Sequence, residues 1–234
     1  MANQMYKNFL SAGFKDLNIR AYKHMVDLYA HNYSGFLPKK KQAGILDIGC
    51  GMGQFLEFLG QRGYEQILGV DVSEEAIEFC QEKGIKKVRL INDLQEFLSS
   101  CPMFDLIVLN DVIEHFPKSE IIEILQKVHE KLNAGGKVII KTGNMASMAG
   151  LKIRYNDFTH ESGFTDYSLT QVLKISKFRD IMIYPFNFPK NRPTRIIRWL
   201  IQKVFHGIWK AIYFFEFTGV PRIVDELIVA VGRK

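Results

Sequence analysis

The chain has 234 residues, is 47% apolar and 24% charged, and carries a formal charge of +6. That suits one α/β domain with a substantial core and excludes a mainly disordered or fibrous protein. No uninterrupted apolar run reaches the roughly 18 residues that a spanning helix needs, and the opening MANQMYKNFLSAGFKD lacks the apolar stretch of a secretory signal. Cys50, Cys80 and Cys101 are an odd set without metal-ligand spacing, so reduced thiols in a cytosolic compartment are expected.

Leu17, Ala21, Met25, Leu28, Tyr29, Tyr33 and Phe36 recur at three- and four-residue intervals, which predicts an amphipathic helix over 17–37. Apolar runs then alternate with helical patterns. Strands are expected over 44–48, 66–70, 87–91, 105–109, 137–141, 179–186 and 226–231. Helices are expected over 53–62, 74–83, 93–98, 119–131 and 168–174, the last opened by a capping box on Ser168 and Gln171. Such alternation implies right-handed crossovers and a mainly parallel sheet covered on both faces. After Phe186 the pattern changes: two β-rich runs bracket a basic segment with no ordinary crossover helix. That fits an antiparallel pair at the sheet edge carrying a long insertion. No repeat or linker divides the chain, so 1–234 reads as one domain with a helical cap over 1–40 and an insertion over 190–220.

The first strand runs through LDIGCGMGQFL, residues 46–56, into a helix. Gly49, Gly51 and Gly53 let the backbone turn tightly and approach a ligand at a helix N-terminus. The dinucleotide fingerprint G-x-G-x-x-G fails, because Gln54 stands where its third glycine should be. Asp47, two residues before the first glycine, suits a cationic or hydroxylated ligand better than a pyrophosphate. Asp71 ends the second strand 24 residues later, where an acid accepts bonds from two ribose hydroxyls. Asn92 and Asp93 follow the third strand, where a polar pair meets an adenine edge. The fourth strand continues as FDLIVLNDVIEHF, residues 104–116, and Gly135-Gly136 reads as the turn before the fifth.

These pieces in this order resemble the class I S-adenosylmethionine-dependent methyltransferases. The resemblance implies a Rossmann-like seven-stranded sheet, mainly parallel with its last strand antiparallel, and S-adenosyl-L-methionine as cofactor. It also implies a cofactor-binding set of Asp47, Gly49, Gly51, Gln54, Asp71, Val72, Asn92, Asp93, Leu94 and Asn110, with Asp71 on the ribose and Asn110 beside the methionine moiety.

Methyl transfer from a sulfonium is an in-line displacement, so the protein must align the acceptor and exclude water. An oxygen acceptor also benefits from a base, and His115 and His160 fall where the acceptor should lie. His160 belongs to RYNDFTHESGFTDYS, residues 154–168, read as a loop in which Tyr155, Asp157, Thr159 and Glu161 bind substrate. Its YNDFTHESGFT core resembles a segment of bacterial polysaccharide and lipopolysaccharide methyltransferases, which implies a sugar hydroxyl as acceptor. Glu114 is expected either to hydrogen-bond structurally or to touch the acceptor. Asp111 and Asp157 are of a type that binds divalent metal, but no ligand set is complete and none is expected.

The excess charge has one address. Lys190, Arg192, Arg195, Arg198, Lys203 and Lys210 fall in 190–215 without an acid, and the remaining chain is neutral. As a helix, this stretch sets Ile196, Ile197, Leu200, Ile201, Val204, Phe205, Ile208 and Ile212 on one face and its cations on the other, with Trp199 and Trp209 toward the polar side. That describes a helix of a membrane interface over 192–215, a helix packed on this domain or on a dimer partner being the competing reading; without a broad basic groove, nucleic acid is not expected. The sequence therefore predicts an O-methyltransferase of a sugar hydroxyl on a small-molecule or lipid-linked glycan precursor, cytoplasmic and peripheral on the inner membrane face. A quinone or other lipid acceptor, or a non-catalytic peripheral protein of this fold, are the alternatives.

Overall fold

The computed structural model describes residues 19–217 and 219–234; Leu17 of the expected cap lies outside them. Helix α1 (Ile19–Tyr33) follows the expected periodicity and buries Tyr22, Val26, Tyr29 and Tyr33. Seven strands, β1 (Ile45–Ile48), β2 (Ile67–Asp71), β3 (Val88–Leu90), β4 (Phe104–Asn110), β5 (Leu132–Gly143), β6 (Arg179–Pro185) and β7 (Leu227–Arg233), form one sheet ordered β3-β2-β1-β4-β5-β7-β6. Strands β1 to β5 pair in parallel, while β7 runs antiparallel between β5 and β6. The expected antiparallel pair is present, with β6 outermost. The order reverses between β1 and β4, which opens a crevice outside the strand carboxyl ends.

Gly135-Gly136, expected as a turn before the fifth strand, instead lies inside β5. The β4–β5 register slips between the Phe104↔Leu132 and Leu106↔Lys137 pairs, and Gly135 takes φ 75° to absorb the extra residues.

The remaining helices are α2 (Gln54–Gln61), α3 (Glu74–Glu82), α4 (Leu94–Ser100), α5 (Ile121–Glu130), α6 (Gly150–Asn156), α7 (Asp166–Ile175) and α8 (Pro193–Glu216). Two expectations change. Residues 154–156, expected in a loop, close α6. The capping box of α7 is formed by Thr165 and Ser168, not by Ser168 and Gln171. Thr165 is extended at φ −111°, ψ 170°, as a cap must be, and each of the two side chains accepts a bond from the other's backbone N–H.

Side chains alternate across the sheet and feed two apolar layers. Leu46, Ile48, Ile107, Leu109, Val138 and Ile140 pack with Leu98, Leu125 and Leu173 of α4, α5 and α7. Ile45, Leu106, Val108, Ile139 and Val229 pack with Tyr33, Phe55 and Leu59 of α1 and α2. Carried two residues further along β1, β4 and β5, the second row reaches Asp47, Asn110 and Lys141. The polar residues at the carboxyl edge thus share the α1 face.

Helix α8 is amphipathic as expected, with its aliphatic face turned outward. Its polar side packs on the body: Trp209 Nε1 donates to Ala146 O at 2.9 Å, Lys210 Nζ donates to Arg222 O at 3.0 Å, and Trp199 is half-buried under Lys190. The tryptophans therefore serve as packing anchors. Ile197, Leu200, Ile201, Val204, Phe205 and Ile208 are each more than half exposed on the outer face, and α8 contains no buried residue.

Candidate functional site

The loop between β1 and α2 is built on positive-φ glycines. Gly49 sits at φ 68° and its N–H donates to Val70 O at 2.8 Å; a Cβ there would lie 2.4 Å from Val112 Cγ2. Gly51 sits at φ 49° with no atom within 4 Å of where a Cβ would be, so its bare side faces open space. Asp71, at the end of β2, ties the loop down. Its Oδ2 accepts from Gly51 N at 2.8 Å and its Oδ1 from Ser73 N at 2.9 Å. Burial pushes this carboxyl up despite those N–H bonds, and a carboxylate's remaining lone pairs stay available to a ligand.

Asp47 is 1% exposed. Its Oδ1 and the Nδ2 of Asn110, the last residue of β4, are buried without completing a hydrogen bond. Tyr33 explains the amide's orientation: its hydroxyl donates to Asn110 Oδ1 at 2.6 Å, which leaves Nδ2 on the side of Asp47. Burial first and Asp71 second hold the Asp47 carboxyl well above the usual carboxylate range, with Asn110 and Lys141 opposing. Leaving buried polar atoms unpaired is costly, so the Asp47 oxygen suits a cationic donor of a ligand and the Asn110 amide N–H suits a ligand oxygen.

Lys141 is the least expected member. It is 2% exposed on β5 and its Nζ lies 2.5 Å from Asp111 Oδ2, over the rings of Phe186 at 5.0 Å and Tyr29 at 5.7 Å. Burial works to lower its pKa, but Asp111 and Tyr29 outweigh it and keep the ammonium charged. Asp111 adopts φ 55°, a left-handed conformation that Asp tolerates and that aims its carboxylate back at the lysine. Glu114, in the 3₁₀ turn Ile113–His115, makes the structural hydrogen bond that was one of its two expected roles. It is buried, its Oε2 accepts from Thr142 Oγ1 at 3.0 Å, and burial followed by the Asp111 charge pushes its carboxyl up to about 8. Its carbonyl accepts from the N–H groups of Glu161 and Ser162 and so fastens the 157–162 loop to β4.

That fastening brings His115 and His160 together, with ring centroids 4.8 Å apart. His160 Nδ1 is 2.9 Å from Ile153 O; a carbonyl only accepts, so Nδ1 carries the proton and Nε2 the lone pair. His115 Nδ1 contacts Thr159 Oγ1 at 2.9 Å, and Thr159 Oγ1 and N both donate to Asp157 Oδ1, at 2.6 and 2.8 Å. Arg154 clamps the loop by donating to the carbonyls of His160 and Glu161.

The expected residues are therefore placed unequally. Asp47, Gly49, Gly51, Asp71 and Asn110 border one crevice, with Gln54 the first residue of α2 and Val72 next to Asp71, both half-buried. Asn92 and Asp93 are exposed beyond β3; Asp93 spends one oxygen capping α4, on Glu96 N at 2.7 Å, and Leu94 opens that helix. Asp157, Thr159 and both histidines converge, whereas Tyr155 is 75% exposed on α6 and Glu161 contributes backbone to the cluster while its side chain is exposed. Tyr33 and Lys141 escaped the sequence reading, although a lysine inside the apolar run KVIIK was a usable signal.

A crevice with paired buried acids, one beside an open glycine, fits S-adenosylmethionine, which carries an ammonium, a sulfonium and a ribose diol. The methyltransferase domain family matches residues 22–180. The ubiquinone biosynthesis O-methyltransferase of Leptothrix cholodnii is 30% identical over 106 residues, 43% of this chain and 44% of that protein; the chain spans less than half the length of the first such relatives. Among solved structures, a SAM-dependent methyltransferase of Archaeoglobus fulgidus superposes with TM-score 0.65 at 23% identity, over 92% of this chain and 98% of that one. Haemonchus contortus phosphoethanolamine N-methyltransferase 2, solved with S-adenosylhomocysteine, superposes with TM-score 0.62 at 16% identity, over 98% of this chain and 60% of that one. With the crevice at the switch point and 22–180 matched, the chain belongs to the methyltransferase domain family and carries an S-adenosylmethionine-dependent methyltransferase domain.

Proposed function

We propose that this protein transfers the methyl group of S-adenosylmethionine to a hydroxyl oxygen of an acceptor presented at a membrane surface. The observation that carries the cofactor half is the unpartnered Asp47 Oδ1 beside Asn110 Nδ2, at the same edge as Asp71 and the open side of Gly51. Asp47 and Asn110 take the methionine end, Asp71 the ribose hydroxyls, the Gly49–Gly51 backbone the close approach, and Asn92, Asp93 and Leu94 the adenine, with Gln54 and Val72 lining the rest. Bound S-adenosylmethionine supplies an activated methyl on a sulfonium. His160, its Nε2 lone pair fixed by the Ile153 carbonyl, accepts the hydroxyl proton as the oxygen attacks, with His115 beside it. The methyl–sulfur bond breaks as the methyl–oxygen bond forms.

The outer face of α8 supports the membrane half. A continuous exposed apolar face marks an interaction surface, and exposed Arg192, Arg198 and Lys203 beside it match anionic lipid headgroups. Among the described residues no helix is long and apolar enough to cross a membrane; the amphipathic face of α8 supports a helix lying in the interface, at the cytoplasmic face in this reading. The polar Asp157, Thr159 and His160 loop supports a sugar hydroxyl of a lipid-linked glycan as acceptor. A second reading, a quinol acceptor, is favoured by the ubiquinone O-methyltransferase relatives.

Labelled methyl transfer onto extracted lipid-linked glycans and onto quinols separates the acceptors. Failure of both, with no S-adenosylhomocysteine bound in calorimetry, overturns the enzymatic reading. Anionic liposomes should float the full chain and not a variant lacking 192–215; equal flotation defeats the membrane role, and a dimer lost on that deletion assigns α8 to a second copy.

A further inference from the structure

The acceptor loop holds a constellation beyond what a base requires. His115, Asp157 and His160 each offer one donor atom, and these atoms all lie within 4.8 Å of one another. They are the one group of that kind among the described residues, although 42 positions separate the first two in sequence. All three are half-buried.

Their outer partners fit a cation better than a lone base. A metal-bound imidazole presents one nitrogen to the ion and gives its other N–H to a protein oxygen, which fixes the ring. His160 meets that pattern through the Ile153 carbonyl. His115 Nδ1 faces Thr159 twice, at the hydroxyl (2.9 Å) and at the carbonyl (3.4 Å), which places the proton on Nδ1. Asp157 has one oxygen fixed by two Thr159 donors, leaving the other for a ligand. The scaffold is rigid on both sides: Glu114 O holds the N–H groups of Glu161 and Ser162, and Arg154 holds the carbonyls of His160 and Glu161.

We propose that His115, Asp157 and His160 form a two-histidine, one-carboxylate site for a divalent transition metal, which binds the acceptor hydroxyl. Two imidazoles and one carboxylate suit manganese, iron(II), cobalt or zinc and leave coordination positions open. An acceptor with two adjacent oxygens, a sugar diol or a catechol-type quinol, fills two of them. Bound there, the metal would withdraw charge from one hydroxyl and ease loss of its proton to water, with His160 acting as a ligand in place of the base; the oxygen would then take the methyl as the carbon–sulfur bond breaks, the sulfonium becoming a thioether with no electron exchanged. This deepens the O-methyltransferase reading and rests on it for the acceptor, but the site itself does not.

The test uses the full chain stripped with chelator and titrated with cobalt(II). One equivalent should raise visible d–d absorption and saturate at one ion per chain, and His115→Ala, Asp157→Asn and His160→Ala should each lower cobalt affinity by about 100-fold or more, taking the larger loss expected of a ligand over an outer partner. S-adenosylhomocysteine affinity, read in the same variants, should stay within about 3-fold, since the cofactor residues are untouched. Absence of a stoichiometric cobalt spectrum, or retention of wild-type cobalt affinity in all three variants, overturns the site. Full methyl transfer in excess chelator also overturns it while leaving the O-methyltransferase reading intact. Stoichiometric cobalt binding with no transfer to any hydroxyl acceptor supports the site and sinks that reading instead.

Discussion

The Lys141–Asp111 pair makes an asymmetric prediction. The lysine side chain is 2% exposed and the aspartate side chain 47%, so removing either partner leaves a very different remainder. In Asp111→Asn the left-handed backbone at φ 55° is retained, because Asn tolerates it as Asp does, but a buried ammonium loses its counter-ion. Breaking a buried pair this way costs about 3–5 kcal/mol. Discharging a lysine of ordinary pKa at pH 7 sets a ceiling near ~5 kcal/mol. The amide oxygen still accepts a bond and the rings of Phe186 and Tyr29 still face the ammonium, so the lower end, about 3 kcal/mol, is expected. In Lys141→Met the stem keeps its packing and the freed carboxylate rehydrates, so about 1 kcal/mol is expected. At about 2–4 °C per kcal/mol for a chain of this size, Asp111→Asn should lower the melting temperature by roughly 6–12 °C and Lys141→Met by roughly 2–4 °C. Thermal and urea melts followed by circular dichroism read both. A larger loss from Lys141→Met than from Asp111→Asn would refute the reasoning, since it would mean that the aspartate is the costlier charge to strand.

Further predictions concern the cofactor crevice and α8. Gly49→Ala drives a Cβ into Val112 and should destabilise by about 2–4 kcal/mol, whereas Gly51→Ala meets nothing, should cost about 1 kcal/mol, and should instead lower cofactor affinity in calorimetry. Asp71→Ala removes both the ribose acceptor and the tie to Gly51, so S-adenosylhomocysteine should bind about 10- to 100-fold more weakly; unchanged affinity refutes the assignment. Burial first and Asp71 second raise the pKa of Asp47, whereas a cationic ligand favours the carboxylate; binding should therefore lower that pKa, release a proton and tighten as pH rises. Calorimetry in buffers of different ionisation enthalpy reads that proton, and uptake instead of release contradicts it. Replacing Leu200, Val204 and Ile208 together by Gln should abolish liposome flotation while leaving the melting temperature within about 3 °C, because the three are exposed.

Legibility followed the range of each interaction. The strand-helix alternation, the glycine loop and the two acids were readable because each is a local pattern: a short apolar run, a turn needing positive φ, an acid at a strand end. Tyr33 and Lys141 were not, since their roles depend on Asn110 and Asp111, residues 77 and 30 positions away. The cap of α7 was misplaced by three residues because Thr165 and Ser168 both fit an N-cap, and only the extended backbone at Thr165 selects between them.

The sequence by itself determined the sheet, its antiparallel edge pair and the concentration of positive charge in one amphipathic helix, since all three follow from periodicity and composition along the chain; the cofactor residues were implied by the glycine loop, the spaced acids and the resemblance they carry. Tertiary structure alone decided which side of α8 meets the body. Packing Trp209, His206 and Lys210 inward leaves the aliphatic face outside, so only part of the +6, the exposed Arg192, Arg198 and Lys203, stands beside an apolar surface. It also decided that His115, Asp157 and His160 meet, because that depends on Glu114 and Arg154 folding one loop back onto another strand's end.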